Sequence, residues 1–280
     1  MKKIAIQGIA GSFHEYAAKL YFPKEEIDIL PCLTFKNVFA ELRKDPALIG
    51  IVAIENTIAG SLLGNYDLVK HSHLQIVGEH KLRIRHCICA LPGQKLEELT
   101  EVSSHPIALM QCQDFLDRHH YLRAIEGDDT ASSALHIAET GQRGVAAICS
   151  AYAAKLYGLE ILEDGIETNK HNFTRFLVLA GGEQAGTILE TRTKDKSSLV
   201  FSVPHASGAL SKVLTILSFY DINLSKIQSL PIIGREWEYQ FYIDLCYADY
   251  ERYRQSIEAI KPLTHNLQIL GEYAEGEQTV

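Results

Sequence analysis

The sequence has no excess of positive charge and no long apolar run. Its 27 Lys and Arg residues are outnumbered by 35 Asp and Glu residues, which gives a formal net charge of −8 and a pI near 5.8. A nucleic-acid-binding domain needs a basic face to meet phosphates, so this balance argues against one. No segment approaches the roughly 20 apolar residues that cross a membrane, and the first apolar run is far too short for a signal peptide. The composition therefore predicts a cytoplasmic protein with no nucleic-acid or membrane partner.

Paired spacings of metal-binding residues are also absent. The cysteines lack the spacing of a zinc site or a disulfide framework, and the twelve histidines show no convincing metal pattern. The loop that contains Gly8 and Gly11 has no third glycine of a dinucleotide fingerprint and no Gly-Lys-Ser/Thr ending. We therefore expect no metal and no cofactor.

Strand and helix patterns alternate through about residue 180. Ser12 with Glu15 fits a capping box, and Thr34 precedes a run with helical apolar spacing. Residues 49–54 are nearly all apolar, which is typical of a central parallel strand covered on both faces. The extended run at residues 74–91 reads as a crossover into a second lobe. We expect two α/β lobes with a cleft between them.

Polar residues stand where predicted strands begin or end. Asn56 follows the strand at residues 49–54, and residues 172–176 lead into the apolar run at residues 177–180. Such strand margins are where open α/β sheets bind ligands. The alternatives are that the asparagines close turns and that Arg175 forms a surface ion pair.

The pattern changes after residue 180. Residues 181–196, which include Thr191, are rich in glycine, threonine and charged side chains, and we interpret them as a linker. Over residues 197–280 the predicted order is βαββαβ, the ferredoxin-like arrangement. A small regulatory module of this kind can pair with a second copy through its sheet edges.

An ordered set of motifs covers nearly the whole chain. Its parts are residues 8–13, 54–56, 104–112, 130–134, 146–148 and 172–176. Together these motifs resemble prephenate dehydratases, and residues 208–210 resemble the Gly-Ala-Leu motif of ACT domains. The resemblance implies a two-lobed, periplasmic-binding-protein-like catalytic domain at residues 1–180 and a ferredoxin-like ACT regulatory domain at residues 197–280. It further implies conversion of prephenate to phenylpyruvate in phenylalanine synthesis, feedback regulation by L-phenylalanine, and assembly as homodimers or homotetramers.

The resemblance also assigns site residues. The active-site polar residues of the family correspond to Thr174, Asn56, Ser104 and Gln111. The residues expected to bind substrate are Ser12, Phe13, Glu55, Thr57, Thr130, Asn172, Arg175 and Phe176. Those expected to bind phenylalanine between paired ACT domains are Gly208, Ala209, Leu210, Asn223 and Ser229.

The chemistry of prephenate suits hydroxyl and amide side chains. Aromatisation drives the reaction, so the site must aid departure of the ring hydroxyl and hold the leaving carboxylate in position. In our hypothesis Thr174 assists protonation of the departing hydroxyl, directly or through water, while the other active-site polar residues orient it. Arg175 offsets the charge of a carboxylate, and helix starts at Ser12, Ser104 and Thr130 offer N–H groups. Glu55 is the rival acid.

Two departures from the family pattern and two alternative functions remain. Ile9 and Ser12 stand where the family usually has Pro and Thr; Gln228 and Leu230 replace a Glu and an Arg, which is expected to weaken or retune feedback. Arogenate dehydratase is the close alternative, because arogenate bears an amine in place of the keto group of prephenate. A two-lobed ligand-binding sensor is the non-catalytic alternative. No chorismate mutase segment is evident, so prephenate is expected from another protein.

Overall fold

Strands and helices alternate in the first lobe, as the sequence pattern predicts. The structure is a computed structural model that describes residues 1–190 and 193–279. In chain order the first elements are β1 (Lys2–Gln7), α1 (Phe13–Tyr21), β2 (Ile27–Cys32), α2 (Phe35–Lys44), β3 (Ile49–Asn56), β4 (Gly60–Ser61), α3 (Leu63–His71) and β5 (Gln75–Arg83). The sequence pattern did not indicate α3, which begins without a side-chain cap at Leu62.

Both predicted helix caps of the first lobe are present. The Ser12 hydroxyl accepts a hydrogen bond from the backbone N–H of Glu15 at 3.3 Å, and the Thr34 hydroxyl accepts one from that of Asn37 at 3.2 Å. The Glu15 carboxylate accepts from the N–H of Gly11 at 2.6 Å, one residue before the position that a capping box uses. It therefore holds the turn that precedes α1.

The second lobe repeats the alternation with shorter elements. They are β6 (Cys87–Ala90), β7 (Glu101–Ser104), α4 (Pro106–Gln111), α5 (Gln113–Arg118), β8 (Arg123–Glu126), α6 (Thr130–Thr140), β9 (Val145–Cys149), α7 (Ala151–Leu156) and β10 (Glu160–Asp164), with a 3₁₀ helix at Leu96–Glu98. The sequence pattern indicated one helix where α4 and α5 stand, but the backbone leaves the helical conformation at Cys112. Neither β8 nor β10 was predicted, because their side chains are mostly exposed and show no apolar alternation.

The chain then returns to the first lobe and continues into a third sheet. The elements are β11 (Phe173–Ala180), α8 (Gly182–Glu190), β12 (Lys196–Ser202), α9 (Ala209–Phe219), β13 (Asn223–Pro231), β14 (Tyr239–Cys246), α10 (Tyr250–Ile260), β15 (His265–Tyr273) and β16 (Gln278–Thr279), with a 3₁₀ helix at Lys261–Leu263. Most of the predicted linker forms α8, which buries Ala185 against the first core. Thr191 and Arg192 lie outside the described residues.

The strands form sheets whose order decides which residues meet. The first sheet has the order β16-β5-β11-β3-β1-β2, with β4 paired to β3, and the second has the order β10-β6-β9-β7-β8. The third has the order β13-β14-β12-β15, which confirms the predicted βαββαβ pattern. Strand β3 is parallel to β1, as predicted, but antiparallel to β11, which lies between β3 and β5.

The third sheet packs directly on the first. One apolar cluster joins Ile54 and Leu177 of the first sheet to Val200, Tyr242 and Leu270 of the third. Strand β16 then adds to the edge of the first sheet beside β5. Within residues 1–190 and 193–279, no helix is long and apolar enough to cross a membrane.

Gly271 allows the close approach of these two sheets. A Cβ atom built at Gly271 lies 2.2 Å from the carbonyl oxygen of Ile76, so a side chain there forces the backbones apart. We expect Gly271→Ala to lower the free energy of unfolding by about 1–3 kcal/mol, the usual cost of overpacking. Urea unfolding followed by circular dichroism measures this change.

The matched control is Gly186→Ala in α8, where a new Cβ meets nothing within 4 Å. Alanine favours a helix over glycine, so this variant should unfold at the same urea concentration as the original chain or at a higher one. Equal unfolding midpoints for the two variants would contradict the role given to Gly271.

Candidate active site

A cavity of about 590 Å³ lies between the two lobes. Side chains from both lobes line it, together with Thr174 and Phe176 of the returning strand β11. The predicted site residues that line the cavity are Ser12, Phe13, Asn56, Gln111, Thr130, Thr174 and Phe176. This volume suits a small organic molecule.

Asn56 and Thr174 are directly opposite each other on β3 and β11. The Asn56 Nδ2 donates to the Thr174 hydroxyl oxygen at 3.0 Å, and its Oδ1 accepts from the N–H groups of Ile58 at 2.9 Å and Ala59 at 2.8 Å. The two backbone donors decide the orientation of the amide, because only its oxygen can accept from them. Thr174 therefore receives a hydrogen bond, and its own O–H has no acceptor within the described part of the chain. This proton is available to a bound molecule.

A chain of amides connects Asn56 to Gln111 in the second lobe. Asn172 is fully buried; its Oδ1 accepts from Asn56 at 2.7 Å and its Nδ2 donates to the Gln111 Oε1 at 2.9 Å. The same Gln111 oxygen lies 3.0 Å from His86 Nε2. Because these contacts use the oxygen of Gln111, its NH₂ group is left to donate into the cavity. Asn172 positions this chain of amides and does not line the cavity.

The two buried histidines at the cavity are neutral. Burial lowers the pKa of His14 to about 3, and it also lowers the pKa of His86. The Gln111 Oε1 only accepts, so the proton of the neutral His86 ring is on Nε2. His14 Nε2 accepts from the backbone N–H of Ala53 at 3.3 Å. Neither ring supplies positive charge to the cavity at neutral pH.

Arg175 and Glu55 face away from the cavity, which corrects the prediction that they bind substrate. The Arg175 guanidinium donates to Glu79 at 2.6 Å, to Tyr273 at 3.0 Å and to Asp244, while Glu55 pairs with Lys226. Successive strand residues point to opposite faces of a sheet, so the neighbours of Thr174 and Asn56 meet the third sheet. Glu55 is therefore not placed to act as the acid of the site.

Two other predicted site residues, Ser104 and Thr57, make hydrogen bonds within the protein and do not line the cavity. Ser104 is fully buried and donates its hydroxyl to the carbonyl of Ile148 at 2.6 Å, so it fastens β7 to β9. The Thr57 hydroxyl donates to the carbonyl of His171 and accepts from the N–H of Phe173, both at 2.9 Å. Neither hydroxyl lines the cavity.

The sequence reasoning missed several cavity residues. His86 lies in the segment that crosses between the lobes, and His14 is in the first turn of α1. Asp128 and Asp129 also line the cavity, and Asp129 caps α6 by accepting from the N–H of Ala131 at 2.6 Å. An aspartate before a helix start is a readable cap signal, whereas nothing in the local pattern marks the two histidines.

The charges of the cavity are acidic. Asp128 and Asp129 line it, and no Lys or Arg among the described residues does so. Asp128 makes no hydrogen bond or ion pair within residues 1–190 and 193–279, so its carboxylate is available. In the same ranges no group of His, Cys, Asp and Glu side chains is arranged to hold a metal ion.

A second cavity of about 320 Å³ lies beside the third sheet. Gly208, Ala209 and Leu210 line it together with Trp237 and Tyr239. The other two residues of the predicted regulatory site, Asn223 and Ser229, are exposed on β13, at the edge of the third sheet, and do not line this cavity within one chain.

Solved structures of similar fold cover almost all of this chain. A prephenate dehydratase from Arthrobacter aurescens in complex with L-Phe has a TM-score of 0.85 at 27% identity, over 99% of this chain and 92% of that one. A protein described as GqqA, a novel type of quorum-quenching acylase, has a TM-score of 0.85 at 28% identity, over 98% of both chains. The two-lobed α/β architecture is thus shared with prephenate dehydratase structures.

Sequence relatives agree with these structures. Arogenate dehydratase/prephenate dehydratase 6 of Arabidopsis thaliana is 38% identical over 287 residues, which cover 97% of this chain and 68% of the relative. Arogenate dehydratase 3 of Arabidopsis thaliana is 37% identical over 97% of this chain and 66% of its own length. The chain thus spans about two thirds of the length of these relatives. The prephenate dehydratase family model matches residues 4–184, and the chain belongs to this family.

Proposed function

We propose that this chain converts prephenate to phenylpyruvate, with loss of water and carbon dioxide. The observation that carries the proposal is the Asn56–Thr174 pair, which leaves a hydroxyl proton free to be donated into the cavity. In the reaction the ring C–O bond and the C–C bond to the ring carboxylate break. The electron pair of the C–C bond enters the ring, and the hydroxyl leaves as water once it has gained a proton.

Thr174 assists the departure of the hydroxyl, directly or through water, by donating its O–H. Asn56 orients that hydroxyl because the Asn56 Nδ2 donates a hydrogen bond to the Thr174 oxygen, so the Thr174 proton points elsewhere. Gln111 donates from its NH₂ group, and the Ser12 hydroxyl, which accepts from the N–H of Glu15, keeps a proton for a substrate carboxylate. A positioned proton donor contributes about 10² to 10⁴ in rate. Hydroxyl and amide donors thus take the role first expected of Arg175, which was to offset the charge of a substrate carboxylate.

We expect Thr174→Val to lower kcat by about 10²-fold to 10⁴-fold, because valine keeps the shape of threonine but has no proton to donate. Thr174→Ser keeps a hydroxyl and should retain most of the activity. The measurement is the ultraviolet signal of phenylpyruvate formed from prephenate. Matching thermal unfolding curves exclude a folding defect, and a Thr174→Val variant with unchanged kcat would remove Thr174 from the mechanism.

The acidic cavity favours a second candidate substrate, arogenate. Arogenate carries an ammonium group where prephenate has a keto group, so it suits the carboxylates of Asp128 and Asp129. A hydrogen bond that involves a charged group contributes about 1.5–3 kcal/mol. Several of the plant relatives are named arogenate dehydratases, which is consistent with this candidate.

Turnover on both substrates separates the candidates. If arogenate is a substrate, Asp128→Asn and Asp129→Asn should together lower kcat/KM for arogenate by about 10-fold to 100-fold, as the loss of a charged hydrogen bond predicts. The same changes should leave kcat/KM for prephenate equal or higher, since they remove negative charge near a dianion. Asparagine is also a good helix cap, so α6 is retained. An unchanged ratio would exclude a role for these carboxylates in substrate choice.

The βαββαβ domain at residues 197–279 is, in our proposal, an ACT domain that binds L-phenylalanine. The cavity at Gly208, Ala209 and Leu210 supports this, as does the L-Phe bound in the Arthrobacter aurescens structure. Asn223 and Ser229 lie on an exposed edge strand, from which a second copy in a homodimer or homotetramer brings them to the ligand. The cytoplasmic location stays a prediction from the sequence, and plant relatives are described as chloroplastic.

Calorimetry on the full chain tests this domain. We expect saturable binding of L-phenylalanine that Ala209→Asp abolishes, because a carboxylate in the cavity repels the carboxylate of the ligand. Ala209 is the first residue of α9, where an acidic side chain is compatible with the helix dipole, so the fold should persist. Equal affinity of Ala209→Asp and the original chain for L-phenylalanine would show that the ligand does not bind in this cavity.

A further inference from the structure

Four charged residues form a closed group between the first and third sheets. Glu55 and Arg175 are paired across β3 and β11, and Lys226 and Asp244 are paired across β13 and β14. Lys226 binds Glu55, and Arg175 binds Asp244, so each opposite-charge contact crosses from one sheet to the other. We name these four residues the charge box.

The Arg175 side of the charge box is buried and highly connected. The side chain of Arg175 also donates to Glu79 at 2.6 Å, and Glu79 receives Lys196 at 2.8 Å. Burial opposes the charge of Arg175, but Asp244, Tyr273 and Glu79 outweigh it and hold the pKa of the guanidinium above its ordinary value. The position of Arg175 is therefore set by groups from both sheets.

The Glu55 side lies at a β-bulge. The register passes from Arg175 opposite Glu55 to Phe176 opposite Ala53, so Ile54 is the extra residue. A bulge re-aims the side chains around it. Here Ile54 packs in the cluster beneath the third sheet and Glu55 meets Lys226, while Asn56 points into the cavity.

The charge box is directly adjacent to the cavity pair. Asn56 follows Glu55 in the chain, and Thr174 precedes Arg175. The hydrogen bond between Asn56 and Thr174 depends on the distance between their two backbone positions. The residues adjacent to this pair, Glu55 and Arg175, both bind side chains of the third sheet.

We propose that Glu55 and Arg175 are positioning residues, through which docking of the third sheet sets the geometry of Asn56 and Thr174 and hence the rate of dehydration. This inference rests on the proposed dehydratase function. It makes turnover sensitive to Lys226, a residue of the regulatory part of the chain that does not line the cavity.

Lys226→Met tests the proposal because it removes the charge and keeps the length of a side chain that is only partly buried. We expect kcat to fall by about 10-fold to 10²-fold, the effect of a small misplacement of catalytic groups, with a smaller change in KM. Lys226→Arg should restore kcat, because it keeps the charge. The shift of the Thr174 methyl resonance in methyl-labelled full-length protein should move in Lys226→Met and return in Lys226→Arg.

The matched control is Lys70→Met. Lys70, on α3, donates to Gln240 on β14, so it also joins the first lobe to the third sheet, but it is not adjacent to a cavity residue. This control should keep the kcat and the Thr174 methyl shift of the original chain. Unchanged values in Lys226→Met, or equal losses in Lys226→Met and Lys70→Met, would overturn the proposal. An original chain without dehydratase activity would refute the proposed function, while the methyl shift would still test the charge box.

Discussion

The amide of Asn56 is the interaction on which the polar side of the cavity depends. Its oxygen accepts from two backbone N–H groups, and its nitrogen donates to Asn172 and Thr174. A flipped amide would place donor against donor and acceptor against acceptor, so only one orientation is satisfied. That single orientation makes Thr174 an acceptor from Asn56 and leaves its O–H without an acceptor among the described residues. The orientation of Gln111 follows from it, because Asn172 accepts from Asn56 and donates to the Gln111 oxygen.

The strands that carry this pair serve two partners at once. One face of β3 and β11 presents Asn56 and Thr174 to the cavity, and the other presents Glu55 and Arg175 to the third sheet. Charges buried at such an interface contribute little to stability unless their partners and hydrogen bonds are complete. Here the partners are supplied by both sheets, which makes the contact specific for one docked arrangement. The third sheet therefore binds residues that are adjacent in sequence to the Asn56–Thr174 pair.

The electrostatic character of the cavity differs from the simplest expectation for a dianion site. The guanidinium first assigned to the substrate is neutralised by carboxylates on the far face of the sheet, and two of the histidines at the cavity, His14 and His86, are buried and neutral. Among the described residues the cavity therefore offers hydroxyl and amide donors and no Lys or Arg side chain, while Asp128 and Asp129 add negative charge.

Much of the architecture was predictable from the sequence, because helical and strand periodicities, capping residues and apolar runs are local properties. The caps at Ser12 and Thr34, the strand at residues 49–54 and the βαββαβ order of the C-terminal part are of this kind. The exposed strands β8 and β10 carry no apolar alternation, so they were missed. The motifs also placed Asn56, Gln111 and Thr174, which the structure brings together at one cavity.

By itself the sequence determined that Thr174 and Arg175 face opposite sides of one strand, since neighbouring strand residues always do. Only the tertiary structure decided which side meets the cavity. The deciding partners, Asp244 and Tyr273, are distant in sequence and reach Arg175 only when the third sheet packs on the first. Long-range packing of this kind leaves no local pattern, so the sequence could not show that Arg175 binds Glu79 and Asp244. The motif indicated Thr174 as a site residue, and the structure places Thr174 at the cavity.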